Sequence, residues 1–132
     1  MKRDMGLIRE LLLKLEDLEK TSHEFATINS SEPELQVDGF QSDQIDYHVS
    51  LLYEAGLITS GTDTDLMMDG TWIFRRLTWA GHDFLDTVRD PEVWKRTKSG
   101  ASKLGGLAFE GIKNMATAYA KHVAKERLGL DL

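Results

Sequence analysis

The stretch DYHVSLLYEAGLI, residues 46–58, reads as the body of an amphipathic helix that stops at a glycine and hands over to a strand. Ile45, Val49 and Leu52 recur at helical spacing. Upstream, Ser42 is the expected N-cap, with Asp43 in the first turn where the helix dipole favours an anion. Gly56 can take the left-handed conformation at the C-terminus, and Leu57 then folds back on the last turn. A hairpin signal follows: Leu66, Met67 and Met68, the tight-turn pair Asp69-Gly70, then Thr71 to Leu77, rich in aromatic and β-branched residues. A helix feeding a hairpin predicts a mainly helical α+β domain.

Outward from this centre the chain is helical on both sides. Met5, Ile8, Leu11, Leu12, Leu15 and Leu18 predict a helix from Asp4 to about Lys20, with Glu10–Lys14 and Glu16–Lys20 as i, i+4 pairs on its solvated face. Residues 21–39 read as loop, with a short strand expected at Leu35 to Val37. Thr78 is expected to cap a third helix carrying Leu85 and Val88, and Asp90-Pro91 restarts the chain as cap and first helical residue. Phe109, Ile112, Ala116, Tyr119 and Val123 mark a last helix to about Leu128. The organisation expected is a first domain over residues 1–90 and a helical C-terminal extension, 91–132, packed on it.

The 132 residues, 41% hydrophobic and 29% charged, suit one self-folding domain. With no cysteine, disulfides, thiolate metal ligands and a cysteine nucleophile are excluded together. No apolar run approaches a membrane span and the start lacks a signal-peptide core, so a cytoplasmic address without membrane attachment is expected.

Charge is segregated. Between Thr21 and Phe74 there is no lysine or arginine against ten carboxylates, whereas residues 75–132 carry eleven basic and seven acidic side chains, within an overall charge of −6.

The order helix, extended piece, helix, hairpin, helix resembles a winged helix, in which the phrase L-x-x-A-G-L-I, here Leu52 to Ile58, closes the recognition helix. The phrase L-T-x-x-G, here Leu77 to Gly81, follows the wing. MKRDMGLIRELLLKLE at the start, DYHVSLLYEAGLI, and RLTWAGHDFLDTVRDPEVWKRTK at 76–98 are similar to the domain of unknown function family numbered 2513, small proteins of bacteria and their phages. The resemblance implies a mobile-element context and no catalytic residues. Gly6 departs from the pattern and is expected to delay the start of the first helix.

The acid block falls on the elements that would read DNA. Asp43, Gln44, Asp46, Tyr47 and Ser50 face outward on the central helix, and Asp63, Asp65 and Asp69 occupy the wing. Carboxylates against phosphate are unfavourable, and no cation in the block offsets them. Partner binding is therefore expected at Asp43, Gln44, Asp46, Tyr47, Asp63, Asp65 and Asp69, against a protein with a basic surface such as a nucleic-acid-handling host complex. Counter-defence activity by occupying a CRISPR complex's cationic surface fits that setting. The alternative is a DNA-binding regulator using Arg75, Arg76, Lys95, Arg96, Lys98 and Lys103, and opposed patches also allow self-association. A membrane-surface role for the glycine-rich segment Ala101 to Leu130 is disfavoured by its small apolar residues.

Asp63 to Gly70 lacks calcium-loop spacing, since Met67, Met68 and Phe74 stand where an acid, the turn glycine and the closing glutamate are required, and reads instead as a polar wing tip. The four histidines show no metal-ligand spacing, and His48 is expected to be packed and hydrogen-bonded. Neither an enzyme nor a cofactor or metal site is expected. Trp72, Trp79 and Trp94, with Phe74 and Phe84, are assigned to the core.

Overall fold

The computed structural model describes residues 1–21 and 23–129. Leu130, the end of the segment weighed for a membrane surface, lies outside them. The first helix, α1 (Met5–Leu18), buries Leu7, Ile8, Leu11, Leu12 and Leu15, the stripe expected from their spacing. Asp4 caps it by accepting from the Leu7 amide at 3.0 Å. Gly6 does not delay the start: it sits in the first turn, where an unpaired N–H is normal and the cost of glycine is small.

The segment read as loop contains β1 (Ala26–Ile28) and a 3-10 turn at Pro33–Leu35, which replaces the strand expected there. Pro33 opens that turn because its missing N–H costs nothing at a first helical position. Next comes α2 (Ser42–Glu54), burying Ile45, His48, Val49 and Leu52. Its N-cap is Gln41, one residue earlier than expected, and the Gln41 amide donates to the Gln44 side chain at 2.9 Å. At its other end Gly56 has φ +71°, and the Leu57 amide donates to the Leu52 carbonyl at 2.9 Å while the Gly56 amide donates to Tyr53. That paired pattern is a Schellman motif, and Leu57 is buried as its closing contact.

After α2 the chain forms β2 (Ile58–Thr59), a long loop, β3 (Trp72–Phe74) and β4 (Arg76–Leu77). The expected hairpin is present only as a short one about Asp69-Gly70, with the Met67 amide on the Thr71 carbonyl at 2.8 Å and the Ile73 amide on the Asp65 carbonyl at 2.7 Å, and its second strand is bent and changes partners. β3 pairs antiparallel with β1, setting Ala26 opposite Phe74 and Ile28 opposite Trp72, while β4 pairs antiparallel with β2. The Arg75 amide, at the bend, donates to the Thr59 carbonyl at 2.9 Å. Leu66 to Met68, the expected first hairpin strand, contributes a single bridge, Leu66 to Trp72. The reason is local. Ser60 and Thr62 hydroxyls bond loop carbonyls, giving the backbone an alternative to a sheet ladder.

Helix α3 (Trp79–Val88) begins with Thr78 as cap, its hydroxyl accepting from the Gly81 amide at 3.0 Å. Trp72, Phe74 and Phe84 are buried as expected. Trp79 is not core: at 88% exposure it projects from the first turn of α3. It sits beside the capping threonine, where the chain direction is fixed by backbone bonds and leaves its side chain outside.

The chain divides into two compact units, Met1–His82 and Asp83–Leu132. In the second, α4 (Pro91–Lys103) packs on α5 (Phe109–Leu128). A Cβ at Gly100 would come within 2.8 Å of the Met115 sulfur and 2.9 Å of the Tyr119 oxygen, so glycine sets how closely these helices approach. Val93, Thr97 and Ala101 of α4 and Ile112, Ala116 and Val123 of α5 are buried, and Phe84 meets Phe109 with ring centroids 4.7 Å apart.

Asp90 ties this unit together. It accepts from the Glu92 and Val93 amides at 2.9 and 3.1 Å as the α4 N-cap, and from the Arg127 guanidinium of α5. The Arg127 hydrogen bond, followed by that of Val93, lowers its pKa to about 2 from the ordinary 3.8. Because the folded value is depressed, its contribution is complete above the ordinary value and is lost as pH falls through about 2. Asp90→Ala should cost about 1 kcal/mol at neutral pH. Thermal melts should show the stability gap between wild type and this variant closing across that acidic window.

The candidate interaction surface

Three elements bring the sequence-predicted residues together in the first unit: the outer side of α2, the β2–β3 loop, and β3. Asp43 is exposed at the start of α2, and Tyr47 is partly exposed one turn later. Gln44 and Asp46 are half-buried and already employed. Gln44 closes the N-cap, and its carbonyl receives His48 Nδ1 at 2.7 Å. Asp46 accepts the Trp72 indole N–H at 2.9 Å, joining α2 to β3. That indole also stacks on Tyr53, with centroids 5.3 Å apart and planes at 16°. The Tyr53 hydroxyl donates to the Ile73 carbonyl, and burial, with a smaller push from Asp65, raises its pKa. The carboxylates therefore divide into those that hold the structure and those free to meet a partner.

In the loop Asp63 and Asp65 belong to the second group and Asp69 to the first. Asp63 is exposed, and Asp65 half-exposed. Asp69 accepts from the Thr71 amide at 3.0 Å and from its hydroxyl at 2.6 Å, bonds that lower its pKa and close the turn. The Gly70 amide donates to the Met67 carbonyl and the Met67 amide to the Thr71 carbonyl. This tip is not simply polar, as the sequence had suggested. Leu66 and Met67 are exposed, and Met68 is fully so at 108%. Three consecutive exposed apolar side chains flanked by Asp63, Asp65 and Asp69 form an apolar point with an acidic rim. The sequence showed the three apolar residues between acidic turn residues but assigned them to a strand, and pairing of their backbone with Thr71 and Trp72 leaves the side chains uncovered.

His48 is packed, as expected. It is buried, with Nδ1 on the Gln44 carbonyl and Nε2 accepting the Asp4 amide at 2.8 Å. Since Nε2 accepts, the proton resides on Nδ1, and neither nitrogen is left for other chemistry. The ring lines a cavity of about 330 Å³ with Met1, Lys2, Arg3, Asp4, Phe40 and Gln44. His82 turns toward α1, 3.7 Å from each of Glu16 and Glu19, while Glu19 also accepts the Leu77 amide at 2.7 Å.

The basic residues are distributed differently. Arg75 lies across Gly61, and Arg76 donates to the Leu77 carbonyl at 3.1 Å. Arg96 is committed to Glu92 at 2.9 Å and Glu126 at 3.0 Å, across α4 and α5. Lys95, Lys98 and Lys103 are exposed on α4. No group of acidic or histidine side chains among the described residues has the geometry of a metal site, and no helix there is long and apolar enough to cross a membrane.

These features define a small, mainly helical α+β protein with a segregated acidic loop and a basic helical unit. The chain belongs to the DUF2513 family, described as hypothetical protein, whose model matches residues 2–108. It is 38% identical over 117 residues to an uncharacterized protein of Haemophilus influenzae, a match covering 88% of this chain and 92% of that one. No solved structure matches it.

Proposed function

We propose that this protein is a non-enzymatic adaptor or inhibitor that docks on a basic protein surface through the exposed face of α2 and the β2–β3 loop. The single observation that carries this is the loop tip, where Leu66, Met67 and Met68 stand exposed among Asp63, Asp65 and Asp69. Carboxylates steer encounter with a cationic partner, and the flexible methionines supply apolar area that adapts to it. The element order through α1, β1, the 3-10 turn, α2, β2 and the bent strand supports a winged-helix-like reading, with the loop as wing. In that reading an acidic surface occupies the position of a DNA reader, which suits a protein that competes with nucleic acid for a cationic machine. The mobile-element setting implied by the family resemblance, and counter-defence activity read from the charge in that setting, are part of the same proposal.

The test is capture. Immobilised wild-type chain, given the heparin-retained fraction of a bacterial lysate at low salt, should hold discrete proteins that elute as salt rises. The triple variant Asp43→Lys, Asp63→Lys, Asp65→Lys should lose them at least tenfold, about 1.4 kcal/mol. Unchanged capture by the variant would sink the proposal. Saturable binding of duplex DNA with a steep salt slope would instead transfer the function to Lys95, Lys98 and Lys103, whose exposure favours that second reading.

A further inference from the structure

The two units carry opposite local charge. Residues 1–82 hold fifteen acidic and seven basic side chains, and residues 83–132 seven acidic and nine basic. On α4, Lys95, Lys98 and Ser102 recur at i, i+3 and i+7 with Lys103 beside them, all exposed, while Val93, Thr97 and Ala101 turn inward. Arg96 is taken by Glu92 and Glu126. Among the described residues Lys95, Lys98 and Lys103 have no ion-pair partner. The stripe ends at Leu104, 66% exposed, followed by Gly105 and Gly106, both with positive φ and no side chain to cover the leucine.

The loop tip and this stripe are complementary twice over. Asp63, Asp65 and Asp69 oppose lysine ammoniums, and Leu66, Met67 and Met68 oppose Leu104. We infer that the β2–β3 loop of one copy docks on the α4 lysine stripe of a second copy. The inference rests on the reading of the loop as a docking surface and names an occupant for it. Each contact joins two different patches, so every copy in it keeps one free loop or one free stripe, and association continues with concentration unless a ring closes. The net charge of −6 does not forbid this, because screening confines each patch to its own neighbourhood.

Sedimentation velocity over a concentration series tests it. At about 50 mM salt the sedimentation coefficient should rise with concentration, and at about 500 mM the rise should vanish, because the Debye length has shrunk several-fold. Asp63→Lys with Asp65→Lys, or Lys95→Glu with Lys98→Glu, should each abolish the rise, with circular dichroism confirming that these surface variants stay folded. Mixing the two variants should restore it, since each then presents what the other lacks. A wild-type monomer under all conditions, or association that survives both variants, would overturn the inference. If self-association is absent while the loop variant still loses its captured proteins, only the choice of occupant fails; if capture is also unaffected, the docking reading fails with it.

Discussion

Gly81→Ala should destabilise the first unit by about 3 kcal/mol, the upper part of the range for overpacking a filled site. A Cβ at this position would lie 2.0 Å from the Leu57 carbonyl oxygen and 3.0 Å from its carbon. These are backbone atoms and cannot swing aside as a side chain would. The same carbonyl accepts the Thr78 amide at 3.0 Å, and the Thr78 hydroxyl accepts the Gly81 amide. Moving Leu57 away therefore breaks the join between the end of α2 and the start of α3. Urea denaturation followed by circular dichroism would show it as a lowered midpoint. An unchanged midpoint would mean that the two segments do not approach as closely as described.

Trp72→Ala is expected to cost about 3–5 kcal/mol, as for a large aromatic removed from a filled core. The side chain is 8% exposed, stacks on Tyr53 and donates to Asp46. The truncation leaves a cavity and an Asp46 carboxylate without its donor. Asp46→Asn should be nearly neutral, because the amide oxygen still accepts the indole N–H. Trp79→Ala should change stability by no more than about 0.5 kcal/mol, as an exposed position does. Equal losses at the two tryptophans in the same urea experiment would contradict the burial described for them.

The pair also shows where sequence reading succeeds and where it stops. Helical periodicity placed α1, α2 and α5, because Leu7 to Leu15 and Ile45 to Leu52 repeat over several turns and each repeat confirms the last, whereas α4 was announced only by Asp90-Pro91. Capping chemistry placed the end of α2 at Gly56 and the starts of α3 at Thr78 and α4 at Asp90, since each acts within a turn of itself. Strand pairing is not local. Ala26–Ile28 is only three residues long, and its partner lies far along the chain, so nothing near it announced a strand. Composition assigned all three tryptophans inward, yet burial depends on where the backbone directs each one, and Trp79 falls on the outer side of a first turn. Of the candidate surface, the acidic residues were legible as a block. The division of labour among them was not, because Asp46 acquires its partner only when β3 is brought against α2.

The bonds at the foot of the β2–β3 loop set what evolution and engineers can change. Thr59 is fastened to Arg75 and Leu57 to Thr78, while Met68 at the far end is fully exposed. Sequence between these fastenings closes a loop whose entropy cost grows only slowly with length. The tip can then be lengthened, replaced or grafted with a foreign epitope while the helices keep their core, so that the surface this loop presents is exchangeable independently of folding.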